Sequence, residues 1–568
     1  MNILSLRPAC FVGRAVVAVL AAHPSFGLTA AEVTPETFRP VLPTLSGAIV
    51  FSGEPGTQAP RGSERIGIRL RDVRISGARP ELAAANEALR ARLTGQQIPV
   101  SELFEATAAL EEAYVNAGLV LTRVVLPQQA LRNGGTLRVD VVNGFVETVD
   151  DTAVPDEVRT RVGRLVEPLV GRPGVTLDEL ERQLLLAGDV SGVALNTALA
   201  TGQAQGGTVL ALDVKYQRVT SFFSFDNFPD DSLGEPTLNF GSEGNSALGL
   251  GETLYLRFST TPQEALTDTP LYRVGAFGAI FPIGRSGLTA NLEVTRSVTN
   301  PDDDTASTSS SFGRESLRLI YPVIRSRTAN LNAQIAFDHQ TDKQDIDLAD
   351  VTTPIYEDDI SVLRISASGS YQHSDRTTSE GSLTLSRGLD VFDAREGTAE
   401  LPLSRAAAEP VFTTLSASYR LQGRLENNYA YLLNARAQTS FGDTVVASEQ
   451  FSAVGAGDLS TFDSGSLRGD CVVTLLSEFS RSLNVQLYNR SFVIAPYVFA
   501  AAGALRVYNP TAVEEDESTA GSFGIGFDSF VLGETPFRAD NMRIEFGRGI
   551  SEDEEDQNRF SISATFRF

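Results

Sequence analysis

The alternation of residue types along Arg559–Phe568 constrains this chain more than any other feature. Phe560, Ile562, Ala564, Phe566 and Phe568 fall on one side of a strand, and Ser561, Ser563, Thr565 and Arg567 on the other, because successive strand side chains point to opposite faces. An apolar face backed by a polar one suits a strand with lipid outside and water inside. An edge strand of a soluble sandwich would show the pattern once. Here it recurs over 253–259, 288–294, 316–321, 328–337, 362–371, 381–385, 413–421, 429–441, 493–499, 542–546 and 560–568, with polar Gly/Asp/Ser/Pro segments between. Ile335 and Phe337 against Asn332 and Gln334 show the two faces well. So many strands within 217–568 exceed one small sandwich and predict a transmembrane antiparallel β-barrel.

The 568 residues are too many for one ordinary domain. No run nears the ~18–20 apolar residues of a membrane helix. The mean hydropathy of −0.05 is what alternating strands average to. The 48 Gly serve turns, and the 32 Phe and 13 Tyr can supply interfacial aromatic girdles. A formal net charge of −24 argues against a nucleic-acid partner, which needs a Lys/Arg footprint.

Histidines are limited to His23, His339 and His373 and cysteines to Cys10 and Cys471, poor material for a metal site or a Ser-His-Asp centre. No P-loop occurs, and the glycines of Leu248-Gly-Leu-Gly251 read as strand-turn residues. The chain is therefore read as a non-enzyme, with no catalytic, cofactor or metal residue assigned. Arg7 and Arg14 precede an apolar run Ala15–Ala22 with small residues after it, the layout of a secretory signal peptide over 1–31, cut after Gly27, Ala30 or Ala31. Loss of Cys10 with it would leave a single thiol.

Residues 32–64, rich in Pro, Gly, Thr and Glu, read as a linker. Two units of one layout follow, 65–143 and 144–216, each β-α-α-β-β. In the first, Ile66–Ile75 is a strand, Glu81–Leu93 and Ser101–Ala117 are helices with Ser101 as N-cap and Gly118 as the stop, and Val120–Leu126 and Thr136–Val142 are strands. In the second, a capping box Thr176-Leu-Asp-Glu179 opens the later helix. Each unit has about the ~70–80 residues at which a small core supports itself.

Several runs together resemble the TpsB transporters of two-partner secretion, the hemolysin and hemagglutinin secretion/activation family. The first unit has Tyr114-Val-Asn-Ala-Gly118, Arg123-Val-Val-Leu-Pro-Gln-Gln129, Gly135 and Val141-Val-Asn-Gly144. The second has Glu181-Arg-Gln-Leu-Leu-Leu-Ala-Gly-Asp189, and Asp226-Asn227 and Asn239-Phe-Gly241 look like the start of the barrel. The resemblance covers 64–568. It implies two periplasmic POTRA domains and a sixteen-stranded outer-membrane barrel in a Gram-negative bacterium, a secreted hemolysin- or adhesin-like exoprotein as substrate, outer-membrane lipid and the barrel assembly machinery as partners, and no cofactor. The exoprotein would bind unfolded at the POTRA domains, where Tyr114, Gly118, Arg123, Pro127, Gln129, Glu181 and Arg182 match the family's runs, and then thread through the barrel. A terminal Phe566-Arg-Phe568 looks like the sorting signal of such barrels. The alternatives are an assembly factor that inserts other barrels, or a passive pore.

The sequence departs from the family at its diagnostic loop. Such barrels read Glu-x-Phe, Val-Arg-Gly-Phe/Tyr, Gly-Asp and then Glu. This chain has Glu449-Gln-Phe451, Leu459-Ser460-Thr461-Phe462, Gly469-Asp470 and Glu478, so Ser460 stands where the family has Arg. In the family that Arg meets the Asp of an inner-strand Phe-x-Asp-x-Gly; here the stretch is Phe499-Ala-Ala501-Ala-Gly503, with Ala501 at the Asp. Losing both avoids an uncompensated charge in the lumen. It leaves the loop without the family's anchor.

Overall fold

The computed structural model describes residues 50–51, 59–229, 231–262, 265–302, 307–348, 351–487, 490–511, 514–532, 539–552 and 555–568. The expected signal peptide lies outside these residues, as does 32–64 apart from Val50–Phe51 and 59–64.

The first unit contains β1 (Gly67–Ser76), α1 (Ala83–Leu93), β2 (Gln97–Pro99), α2 (Val100–Asn116), β3 (Arg123–Val125) and β4 (Gly135–Val142). Its sheet runs β2-β1-β4-β3, with β1 and β4 parallel. The helices bury Leu89, Leu93, Leu103, Leu110 and Tyr114 against Leu70, Val73, Leu137 and Val139. Two details differ from the sequence reading. Ser101 is not the N-cap: α2 starts after extended Pro99, because the Val100 N–H bonds the Ile66 carbonyl (2.8 Å) and fixes the start one residue earlier. The strand expected at Val120–Leu126 contracts to Arg123–Val125, because Val120 and Leu121 turn into the core of the next unit. Gly118 ends α2 at φ +83°, a conformation that glycine takes without strain.

The second unit contains β5 (Phe145–Ala153), α3 (Asp156–Val166), α4 (Leu177–Gly188), β6 (Val193–Thr201) and β7 (Gly207–Tyr216). The capping box forms: the Glu179 N–H bonds Thr176 Oγ1 (3.3 Å) and the Thr176 N–H bonds Glu179 Oε2 (3.0 Å). Val50–Phe51 adds to this sheet, parallel to Ala198–Leu199 of β6, so part of the segment read as linker is ordered against the second unit.

Sixteen antiparallel strands then close on themselves. They are β8 (Val219–Asp226), β9 (Thr237–Asn245), β10 (Thr253–Thr260), β11 (Tyr272–Ile283), β12 (Leu288–Thr299), β13 (Ser307–Arg325), β14 (Ala329–Leu348), β15 (Val351–Ser374), β16 (Thr377–Leu389), β17 (Thr413–Arg424), β18 (Tyr429–Thr439), β19 (Cys471–Arg481), β20 (Arg490–Arg506), β21 (Glu517–Leu532), β22 (Ala539–Ser551) and β23 (Gln557–Arg567). Past Ser482, β19 continues as Leu483–Leu487 along β20. Leu256, Phe277, Ile335, Ile525 and Phe560 are exposed on the outer face, whereas Glu293, Arg318, Asp338, Glu545 and Ser561 are buried in the lumen. That inside-out polarity fits lipid around the barrel and a polar interior. The last residue, Phe568, exchanges both backbone bonds with Ser221, closing the ring at its seam.

β13, β14 and β15, at 19, 20 and 24 residues, far exceed the ~9–11 that cross a bilayer. Their far ends stand above the barrel on the side away from the two small domains. The segment 390–412 folds onto them, its Ser404 N–H bonding Asp358 Oδ1 (2.8 Å). Ile360, Val362, Leu403, Phe412, Val445 and Val446 form a small core there.

Candidate functional site

The lumen is occupied by the 440–470 loop between β18 and β19. Its two limbs pair as a short hairpin, Phe451–Ser452 against Arg468–Gly469, and residues between them descend into the barrel. Contacts at the mouth, along both flanks and at the tip hold it.

At the mouth, the fully buried carboxylate of Asp470 accepts from Arg405 Nη1 (2.6 Å), the Val445 N–H (3.1 Å) and the Tyr508 N–H (2.6 Å). One side chain thereby ties together three segments: 390–412, the start of the 440–470 loop, and the β20–β21 connection. Along one flank, Glu449 receives both Nη atoms of Arg364 (2.5 and 3.0 Å) and Gln340 Nε2 (2.9 Å), and Arg364 also bonds Asp338 (2.8 Å). Along the other, Asp458 pairs with Arg436 and accepts from Thr474 Oγ1 (2.6 Å), while the Arg436 guanidinium lies 4.4 Å from the Phe451 ring centroid.

The tip is different in kind. Leu459 and Phe462 pack into an apolar cluster with Tyr497, Phe499, Ala501 and Leu505. Beneath them β22 is bare: a Cβ on Gly549 would come within 2.8 Å of Phe462 Cζ, and one on Gly547 within 2.7 Å of Thr461 Cγ2. Ser460 donates to Glu545 of β22, and Thr461 meets Ser522 Oγ (2.5 Å). Glu545 also accepts from Tyr497 OH (2.8 Å) and Arg543 Nη2 (3.2 Å), and Arg543 reaches Glu478 (2.8 Å) and Asp528 (3.4 Å). Sequence reasoning missed Glu545, Arg543, Arg364 and Arg405. Glu478 sits in this cluster, where the family spacing puts a carboxylate. Ala501 contributes only apolar surface near the tip; the polar partner of Ser460 comes from β22 instead. Gly503 faces Leu459, its missing Cβ leaving room for Leu459 Cδ1.

The residues assigned to recognition scatter. Tyr114 is fully buried, its hydroxyl accepting from the Arg79 N–H (3.0 Å), so it is a core residue and offers nothing to a ligand. Gly118 serves the junction of the two small domains, its carbonyl accepting from the Leu177 N–H (2.8 Å). Glu181 and Arg182 face the barrel: Glu181 pairs with Arg327 (3.0 Å) and Arg182 bonds the Pro322 carbonyl (2.7 Å). Asp189 joins them by pairing with Arg325 (Nε to Oδ2, 2.8 Å), so α4 docks the second domain on the barrel turns. Arg123, Pro127 and Gln129 remain half-buried around β3. Gln129 offers its amide to both the N–H and the carbonyl of Arg138 (2.8 Å each), as a neighbouring strand would.

One arrangement was not expected. His339 Nδ1 lies 3.2 Å from Ser361 Oγ and His339 Nε2 3.5 Å from Asp359 Oδ1. Ser361 is fully buried, so its hydroxyl is closed to any substrate. Among the described residues no His/Cys/Asp/Glu group is placed to hold a metal ion.

The description "Haemolysin secretion/activation protein ShlB/FhaC/HecB" matches residues 206–527, and "POTRA domain, ShlB-type" matches 68–144. The chain belongs to this secretion/activation family. It lies in the outer membrane with its POTRA domains in the periplasm. Among curated relatives, the heme/hemopexin transporter protein HuxB of Haemophilus influenzae is 26% identical over 258 residues, 44% of this chain and 44% of that protein, so the match spans less than half of the relative's length. CdiB from Escherichia coli superposes with a TM-score of 0.70 at 17% identity, over 90% of this chain and 92% of that one. CdiB from Acinetobacter baumannii does so with 0.60 at 16% identity, over 92% and 95%. Both share the fold of this TpsB-type protein.

Proposed function

We propose that this protein exports an unfolded exoprotein across the outer membrane through the lumen of its barrel, without chemistry on the substrate. The observation that carries the reading is the loop 440–470. It fills the lumen, yet its tip is held mainly by hydroxyl hydrogen bonds and apolar contact with one part-exposed ion pair, Asp463 to Arg559, while its other ion pairs lie on the flanks and at the mouth. When such a loop withdraws, part-exposed Asp463 goes to water and Arg559 keeps the carbonyls of Asn227, Phe228 and Pro229, and a polar wall remains for an extended chain to pass. The POTRA domain docked on the periplasmic rim leads to that lumen. The secretion/activation description matched over 206–527 and the transporter name of HuxB support export.

Recognition is placed at the first POTRA domain. Its edge strand β3, with Arg123, Pro127 and Gln129 beside it, can accept an extended segment by strand addition, gaining backbone hydrogen bonds independent of sequence. The barrel itself reaches the membrane through the barrel assembly machinery, which reads the Phe566–Phe568 end.

The test compares secreted and surface proteins of the native host with and without the gene. Loss of one large exoprotein, restored by the full chain but not by one lacking 66–143, is the expected result. A decline of many outer-membrane barrels would instead make the protein an assembly factor, and no change would make it a passive pore.

A further inference from the structure

The barrel closes on an unusually short joint. Between β22 and β23 the ladder covers Asn541–Gly549 against Gln557–Thr565, but between β23 and β8 it covers only Ser563–Arg567 against Phe222–Asp226. Above that point one backbone bond remains, from the Asn227 N–H to the Ile562 carbonyl (3.3 Å), and side chains supply the rest. Asn227 Oδ1 accepts from the Ile562 N–H (2.8 Å) and Asn227 Nδ2 donates to the Phe560 carbonyl (2.8 Å), so its amide stands in for one peptide unit.

Arg559, on the lumen face of β23 and nine-tenths buried, completes the joint and does something more. Its Nη2 donates to the carbonyls of Asn227 (3.0 Å), Phe228 (3.0 Å) and Pro229 (3.2 Å), gripping the chain that leaves β8. Its Nη1 donates to the Phe462 carbonyl (3.0 Å) and to Asp463 Oδ1 (2.5 Å), gripping the loop tip. One rigid, planar guanidinium therefore serves two parts of the chain more than 200 residues apart in sequence.

We propose that Arg559 is a positioning residue that couples the lumen loop to the seam: withdrawal of Phe462 and Asp463 frees Nη1, lets the guanidinium turn, and loosens the β8–β23 joint. The inference goes beyond export itself and adds how the barrel yields when the loop leaves. Coupling of this kind is reciprocal, so weakening the seam must also loosen the loop. Lysine cannot replace Arg559, because one ammonium cannot point at both sides in a fixed fork.

Amide hydrogen exchange on the full chain in lipid nanodiscs tests this without reference to secretion. Asp463→Asn alters only the loop side, and Asn227→Ala only the seam side. Asp463→Asn is expected to speed exchange of Val219–Asp226 and Gln557–Arg567 about tenfold, although Asp463 touches β23 only through the Arg559 side chain and makes no bond to β8, which corresponds to weakening about one charge-assisted hydrogen bond. Asn227→Ala is expected to speed exchange of 456–463, and Arg559→Lys to speed both, with β14 and β15 unchanged in all three. If each one-sided variant alters only its own side, Arg559 makes two independent sets of bonds and the coupling is wrong. Acceleration spread evenly over the barrel, β14 and β15 included, would mean general destabilisation and would equally overturn it. The host comparison above can fail while this result stands, and the reverse, so the two readings are separable.

Discussion

Ser460 of the lumen loop donates its hydroxyl to Oε1 of Glu545 on β22, across 85 residues of sequence. Glu545 is itself neutralised by Arg543, two residues along the same inner face, rather than by a cation on the loop. The charge pairing around Ser460 thus lies within the barrel wall, where the loop contributes a neutral group, and the loop's own charge beside the tip, Asp463, pairs with Arg559 of β23. This is how a chain with Ser460 and Ala501 keeps its loop in place without an ion pair between them.

Removing that acceptor should free the tip. Glu545→Ala leaves a buried serine hydroxyl unsatisfied, a cost of about 1–3 kcal/mol. Planar-bilayer recordings should show channel openings roughly tenfold more frequent. Glu545→Gln keeps an acceptor and should stay near wild type; equal gating in Glu545→Ala would show that the tip does not depend on this bond.

The mouth should depend on Asp470 more steeply. Arg405→Ala removes the charge partner of a fully buried carboxylate, a loss of about 3–5 kcal/mol for buried pairs. The segment 390–412 is expected to detach and become cleavable by external protease on intact cells while the barrel stays folded. Resistance equal to wild type would assign the hold to the apolar core around Phe412 instead.

Gly549 tests the floor under the tip. Gly549→Val places a branched side chain where Phe462 Cζ lies 2.8 Å from the ideal Cβ position, and β22 cannot retreat because both its neighbours hold it. The loop should lift, giving a larger steady conductance than Ser460→Ala. An unchanged conductance would place the loop elsewhere in the membrane.

The second POTRA domain has a pH signature. The Thr176 backbone N–H, helped by Arg172, holds the Glu179 carboxyl below the usual carboxylate range. Because the folded value is depressed, the stabilisation is present above the ordinary pKa and is lost as pH falls through the folded value. Amide exchange of α4 should therefore quicken below about pH 4 in the wild type, and Glu179→Gln, which keeps a hydrogen-bonding side chain without the titration, should flatten that rise. A rise of the same size in both would remove Glu179 as its cause.

Where the alternation of residue types was strong, the barrel strands were legible: β10, β12 to β18, β20, β22 and β23 each contain a stretch marked by period two. β8, β9, β11, β19 and β21 were not marked. In β11 and β21 the physical reason is visible. Gly278 and Gly526 stand where cross-strand Tyr255 and Tyr497 lay their rings, and a Cβ at either glycine would overlap the phenol. The tyrosine fills the face on which the glycine shows nothing, so the pattern is split between two strands and a single-strand reading cannot see it.

The sequence by itself determined the elements: two β-α-α-β-β units from helical stripes, caps and stops, and an all-β remainder from period-two alternation, since these signals act over a few neighbouring residues. The family resemblance also marked Glu449 and Asp470 in the loop and Glu478 on the strand after it. Only the tertiary structure decided what those residues bind. Arg364, Arg405 and Arg543 are their partners, Glu181 and Arg182 turn to the barrel rather than to a ligand, and Glu545 receives Ser460. Each of these pairings joins segments dozens to more than a hundred residues apart, and which inward side chains face one another is set by the closure and register of the ring, a property that no local pattern carries.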